Sequence, residues 1–425
     1  MIKRLIALGV FALVCGAGMR FSRNPAPVQA VTPAARLTAP QDQSGDGKPR
    51  WEPLWTRPAP GLTLASVAAD GTSVAWIDRK RSVRRLDSVT GNTVWQTEPL
   101  PGMSHLVAVP GGDVLVYSPL NRLRPVIRVL DRNKGAKAGA VYPLNGAVWS
   151  VAAAGGGSVA FVGTGQGTIY TLPIRRESGE PFLRPTTWTV NGIPEQLVST
   201  ADGSVTFIGG WGNSNLSSWQ PTRPTLLTTA SVPASSIWQQ AKMESFRTEG
   251  LCFSGNGTTA VALSSRGRRG EGARLDVFDG VTGNRLWQED LNGFGAKARV
   301  SRDGQFIAVT YAHLSEYNTG RVTEQKLSLF TREGRKVFGD RGGIYFSPEL
   351  AALSANGSRI TVQSGPSTLF TLDNRGRFKS KLTLPKDPVT GQPLQIRRCV
   401  ATEDGRFLLM IRGDGLMTLY KATAS

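Results

Sequence analysis

Histidine, the commonest acid–base and metal-binding side chain, occurs only at His105 and His313 in this 425-residue chain. Two histidines cannot build a multi-histidine metal site, and they make a histidine-based triad a poor expectation. Neither a Gly-x-Ser-x-Gly elbow nor a phosphate-loop lysine motif is present. The glycines of Gly163-Thr164-Gly165-Gln166-Gly167 precede no helical pattern and read as a tight loop between strands. Of the three cysteines, Cys15 falls in an apolar N-terminal run. Cys252 and Cys399 precede turns far apart in sequence and read as small buried strand residues without a disulfide. His105 is expected at the start of an inner strand and His313 in a long loop, both as satisfied polar residues. No catalytic residue, metal-ligand set or cofactor is therefore expected, although carboxylate pairs drawn from separate repeats stay open.

Binding chemistry is better represented. Lys80, Arg81, Arg122, Arg124, Arg266, Arg268, Arg269 and Arg321 recur at one kind of loop, together with Trp211 and Tyr317. Arginine forks onto carboxylates, phosphates and sulfates, and aromatic rings stack on sugars. Asp78, Glu271 and Glu316 dilute this charge without cancelling it. The formal net charge of +19 points the same way.

The elements that carry these loops form a repeat. A turn signal recurs at Asp70-Gly71, Gly111-Gly112, Gly155-Gly156-Gly157, Asp202-Gly203, Asn256-Gly257, Asp303-Gly304, Asn356-Gly357 and Asp404-Gly405, at intervals in the forties and fifties. Such dipeptides supply the positive φ of two-residue hairpin turns. Each is followed by a nearly continuous apolar strand, such as Val114–Tyr117 or Phe306–Val309, as expected where both faces are covered. A second turn recurs at Thr90-Gly91, Lys134-Gly135, Ser178-Gly179, Thr282-Gly283, Glu333-Gly334 and Arg375-Gly376. The fourth repeat breaks the pattern, with Gln220–Pro224 standing where its second turn is expected. This predicts an all-β propeller of about eight four-stranded blades, with seven as the alternative. The last repeat ends after Tyr420 without an outer strand, and Trp51–Trp55 precedes the first repeat as an orphan strand. Ring closure by the N-terminal strand solves both problems and protects the sheet edges. In such a blade, the loops between second and third strands share one ring face, which gathers the arginines listed above. The opposite face reads as less one-sided, because its turns carry Asp70, Asp202, Asp303 and Asp404.

Two repeats carry a sharper motif: Asp87-Ser88-Val89-Thr90-Gly91 with Trp95, and Asp279-Gly280-Val281-Thr282-Gly283 with Trp287. This resembles the tryptophan-docking motif of quinoprotein-like (PQQ-repeat) β-propellers. The other repeats lack the tryptophan and are similar to degenerate Trp-Asp (WD) repeats. The resemblance implies a structural role for Asp87, Thr90, Gly91, Trp95, Asp279, Thr282, Gly283 and Trp287, with each Trp packed between adjacent blades. Quinoprotein dehydrogenases also bring calcium-ligating acids and a vicinal disulfide. Neither is apparent here, so the resemblance implies a non-enzymatic member, with a quinoprotein-like dehydrogenase or other propeller enzyme as the alternative.

Lys3 and Arg4 precede an apolar run from Leu5 to Met19, which reads as an export signal over residues 1–30, cleaved after Ala17 or Ala30. An uncleaved membrane anchor and a lipoprotein-like box at Ala12-Leu13-Val14-Cys15 are the alternatives. Residues 31–50 read as a Pro/Ala-rich linker and 51–425 as the propeller domain. Export redirects the basic charge away from nucleic acid and towards a protein partner or an anionic envelope polymer or lipid. The expectation is a monomeric, non-catalytic binding or scaffolding module that is periplasmic, cell-surface or extracellular.

Overall fold

The computed structural model describes residues 42–44, 50–100, 102–117, 125–154, 156–174, 184–190, 192–200, 205–212, 225–231, 235–240, 246–266, 272–291, 293–316, 321–339, 346–387 and 389–423. Among these there is no helix, and the strands form eight antiparallel sheets, seven of four strands and one of five. Each sheet is a blade with its strands lettered A to D from the ring axis outwards. The A strands are Leu64–Val67, His105–Ala108, Val148–Ala153, Gly192–Ser199, Phe246–Phe253, Phe294–Val300, Phe346–Leu353 and Ile396–Ala401. Each touches the next, and the last returns to the first, which closes the ring.

Burial explains why the B strands read as continuous apolar runs. Ser73–Ile77 is buried at every position, because neighbouring blades cover both of its faces. The core is accordingly divided: eight hydrophobic clusters lie one in each seam between blades. The cluster of Val261, Leu275 and Val277 with Ile307, Val309 and Phe330, for example, joins blades 5 and 6.

Closure follows the sequence reading. Trp51–Pro58 pairs with Leu416–Ala422 as the D strand of blade 8. One residue of this strand, Leu54, is extra, because Pro53 pairs with Tyr420 and Trp55 with Leu419. A one-residue bulge reverses which face each later side chain takes. Trp51 therefore turns back to blade 7, donating to Thr361 Oγ1 and Thr371 Oγ1 at 3.2 Å each. Trp55 turns forward to blade 1, donating to the Ser88 carbonyl at 2.8 Å.

The docking motif repeats this contact. Trp95 of blade 1 donates to the Arg132 carbonyl at 3.2 Å, and Trp287 of blade 5 donates to the Arg332 carbonyl at 2.7 Å. Each ring lies over a turn glycine of the next blade, Gly135 or Gly334, where a Cβ would come within 3.0 Å or 2.9 Å of the indole. Asp87 and Asp279 shape their own turns by accepting from the Thr90 and Thr282 backbone at 2.8 Å. The two copies recognised in the sequence have a third, at Asp387-Pro388-Val389-Thr390-Gly391, with the same carboxylate-to-amide bonds at 2.8 and 2.9 Å. It sits in the connection between blades 7 and 8 rather than between C and D strands.

Several expectations are corrected. The A–B turns are longer than two residues: Ala68 N bonds to Ser73 O, and Gly71 N bonds back to Ala68 O. Glycine alone takes the positive φ there, while Asp70 caps Thr72 through its side chain. Asp42–Ser44, expected in the linker, adds to the D strand Phe378–Thr383 as a fifth strand of blade 7. His313 lies in the long strand Phe306–Glu316 rather than in a loop. Gln220–Pro224 falls outside the described residues and precedes the C strand of blade 4, Thr225–Ser231, so it is not the C–D turn.

Candidate functional site

The A strands position the site, because they are the innermost strands and touch one another around the ring. A cavity of about 380 Å³ lies at the end of the axis where the A–B turns gather. Blade 6 contributes Lys297, Arg299 and Arg302, blade 8 contributes Arg398, Cys399 and Glu403, and blade 5 contributes Cys252. Arg299 is fixed on the wall by donating Nε to the Leu350 carbonyl of blade 7 at 3.2 Å. Arg302, Arg398, Lys297 and Glu403 all expose surface.

Of the four acids expected in the turns of this face, Asp202 lies outside the described residues and the other three are hydrogen-bonded. Asp303 accepts from Ser301 Oγ at 2.6 Å and Gln305 N at 3.1 Å. Asp404 accepts from Thr402 Oγ1 at 2.7 Å and Arg406 N at 3.0 Å, and Arg406 Nε bonds its other oxygen. Asp70 accepts from Gly111 N of blade 2 at 2.6 Å. The turn face thus carries the cations of the cavity beside these turn carboxylates.

Among the described residues, Glu403 is the one carboxylate that lines the cavity. Desolvation pushes it above the usual range, Asp404 adds to this, and Arg299 and Arg302 oppose it. Cys252 donates Sγ to the Ala298 carbonyl at 2.8 Å, and burial pushes its thiol up to about 12. At neutral pH it is a protonated donor with little nucleophilic character. Cys252 and Cys399, expected to be buried, far apart and without a disulfide, form none; they are half-buried and line one cavity. Blades distant in sequence converge at a ring axis, which is why linear separation misled.

Three of the residues singled out by sequence can be placed, and they lie on the opposite face. Trp211 and Arg266 lie at the ends of the B strands Val205–Gly212 and Thr259–Arg266, and Arg321 opens the C strand Arg321–Thr331. The backbone thus brings these three to the B–C face. Arg122, Arg124, Arg268, Arg269 and Tyr317 lie outside the described residues. Blade 1 shows this face in full: Arg79, Lys80 and Arg81 are exposed. Asp78, expected to dilute them, is buried, accepts from Ser82 N at 2.9 Å and pairs with Arg84 at 3.7 Å. His105 opens the A strand of blade 2, with Nδ1 against Ser104 Oγ at 2.9 Å and Nε2 against the Trp149 carbonyl at 3.3 Å. Among the described residues no cluster of three or more His, Cys, Asp or Glu is arranged to hold a metal.

No family model and no curated protein matches the sequence. Solved structures do match. BamB from Moraxella catarrhalis shares 16% identity at a TM-score of 0.53, over 87% of this chain and 99% of that one. The Dos1 propeller shares 12% identity at a TM-score of 0.56, over 87% of this chain and 95% of that one. What is shared is the propeller fold.

Proposed function

We propose that this chain is exported and serves as a non-catalytic binding or scaffolding module at the cell envelope, presenting a cationic B–C face to an acidic partner. The observation that carries this reading is the blade 1 hairpin. Its Arg79, Lys80 and Arg81 project while its one acid folds inward, and the ends of the blade 4, 5 and 6 hairpins share its face. A rigid ring that holds cations from distant repeats on one surface raises the local concentration of anions, and does so less as salt rises.

The test compares wild type with a variant carrying Arg79→Ala, Lys80→Ala, Arg266→Ala, Arg268→Ala and Arg269→Ala. Retention on acidic polysaccharide and on anionic liposomes is measured at low and moderate salt. Arg375→Ala with Arg377→Ala, in a turn on the opposite face, is the control. Selective loss in the first variant supports the reading, and equal loss in both reduces it to global charge. No retention of wild type at low salt discards a polymer or lipid partner and leaves an acidic protein. Dye reduction after reconstitution with the quinone and calcium would overturn the non-catalytic reading.

A further inference from the structure

The axial cavity faces away from the B–C surface, and its chemistry is more specific. Among the described residues, three cations from blade 6, one from blade 8 and the carboxylate of Glu403 line about 380 Å³. Neighbouring acids do not reach in, because Asp303 and Asp404 hold their own turns. A volume of this order suits a small molecule and excludes a folded polymer. Guanidinium groups on two walls suit a ligand with anionic groups at two ends, each taken by charge-assisted hydrogen bonds.

We propose that this cavity is a binding site for a compact molecule bearing two or more carboxylate or phosphate groups, held by Lys297, Arg299, Arg302 and Arg398, with Glu403 coupling its capture to proton uptake. The coupling follows from placement. Glu403 faces Arg299 and Arg302 across from blade 6, with Asp404 beside it in sequence and Lys297, Arg398, Cys252 and Cys399 around the same cavity. An incoming anion adds negative charge next to a carboxyl already pushed up by desolvation, so the bound state favours protonated Glu403. Binding therefore strengthens as pH falls.

Isothermal titration calorimetry on the full mature chain tests this, with citrate as the carboxylate probe and pyrophosphate as the phosphate probe. One of them is expected to bind at a single site, and which one does so identifies the ligand's chemistry. Arg398→Gln with Lys297→Gln, both exposed in the wall and so tolerable to the fold, is expected to weaken binding about 10- to 100-fold with an unchanged melting temperature. Glu403→Gln is expected to tighten binding at pH 7 and flatten its pH dependence. The B–C face variant described above is expected to bind both probes as wild type does, which separates this site from the polymer-binding surface. Absence of binding by either probe at low salt, or equal weakening by the B–C face variant, overturns the proposal. Glu403→Gln retains only the probe's own titration, so a wild-type pH dependence identical to that of Glu403→Gln overturns the coupling.

Discussion

Trp51 and Trp55 lie four residues apart on one strand yet dock onto opposite neighbours, Trp51 onto Thr361 and Thr371 of blade 7 and Trp55 onto Ser88 of blade 1. The extra residue Leu54 separates their faces. Arg359 of blade 7 stacks over Trp51 at 5.3 Å and donates to the Thr423 carbonyl at 3.0 Å, so blade 8 is held from both sides.

Trp51→Ala and Trp55→Ala should each lower stability by about 3–5 kcal/mol, the usual loss for truncating a buried tryptophan. Hydrogen exchange should localise the damage differently. Trp51→Ala should loosen the Arg359–Ser364 and Thr368–Asp373 strands, and Trp55→Ala the Asp87–Asn92 turn. Deleting residues 51–58 should expose a long edge and sharply reduce solubility, whereas deleting 31–41, which keeps the Asp42–Ser44 strand, should have a small effect. Equal behaviour of the two deletions would contradict closure by this strand.

Gly334→Ala and Gly391→Ala should separate the backbone cost of a turn from the cost of docking. Both glycines have positive φ, +89° and +69°. A Cβ at Gly391 meets open space, so its substitution should cost only roughly 1–2 kcal/mol. At Gly334 the Cβ meets Trp287 at 2.9 Å, so the loss in a denaturant titration should be clearly larger. Similar losses would mean that the indole yields easily.

Asp87 gives an acid-sensitive turn. The Thr90 amide is the main reason its carboxyl lies below the usual range, and the Val89 amide and the Thr90 hydroxyl act in the same direction against a modest desolvation. A depressed folded pKa means stability that is present above the unfolded value of about 3.9 and lost as pH falls through the lower folded value. Asp87→Asn keeps an acceptor oxygen but removes the charge. It should be less stable than wild type at pH 7, and the gap should shrink below pH 4. A gap independent of pH would place the effect elsewhere.

Mass spectrometry of the purified protein should show a mature N-terminus after Ala17 or Ala30. An intact Met1 on a soluble cytoplasmic chain would refute export.

Much of the ring was legible because its signals are local. Asp-Gly and Asn-Gly turns mark A–B connections, doubly covered B strands read as apolar runs, and a missing outer strand after Tyr420 needs a partner. The cavity was harder, since its walls come from blades far apart in the chain. A signal existed: where the first A strand reads Leu64-Ala65-Ser66-Val67, those of blades 6 and 8 carry Lys297 with Arg299, and Arg397 with Arg398. Cations in an inner strand stand where apolar residues would otherwise pack between blades, so they mark the axis. The inward fold of Asp78 was not legible, because it depends on a bond to Ser82 N that composition does not encode. The third docking-type turn escaped because Gln395 stands where the other copies have tryptophan.

The register that joins Trp51 to Ala422 also sets a schedule. The strand that completes the last blade is made first, and its partner, Leu416–Ala422, is made at the other end of the propeller. A chain emerging from a ribosome or threading through a membrane must therefore carry a growing arc of blades with two unsealed rims until nearly all of it is through. Contacts of this sequence separation slow folding and leave strand edges exposed to aggregation in the interval. The seam that makes the finished ring self-contained thus makes the unfinished one dependent on speed of delivery or on a chaperone.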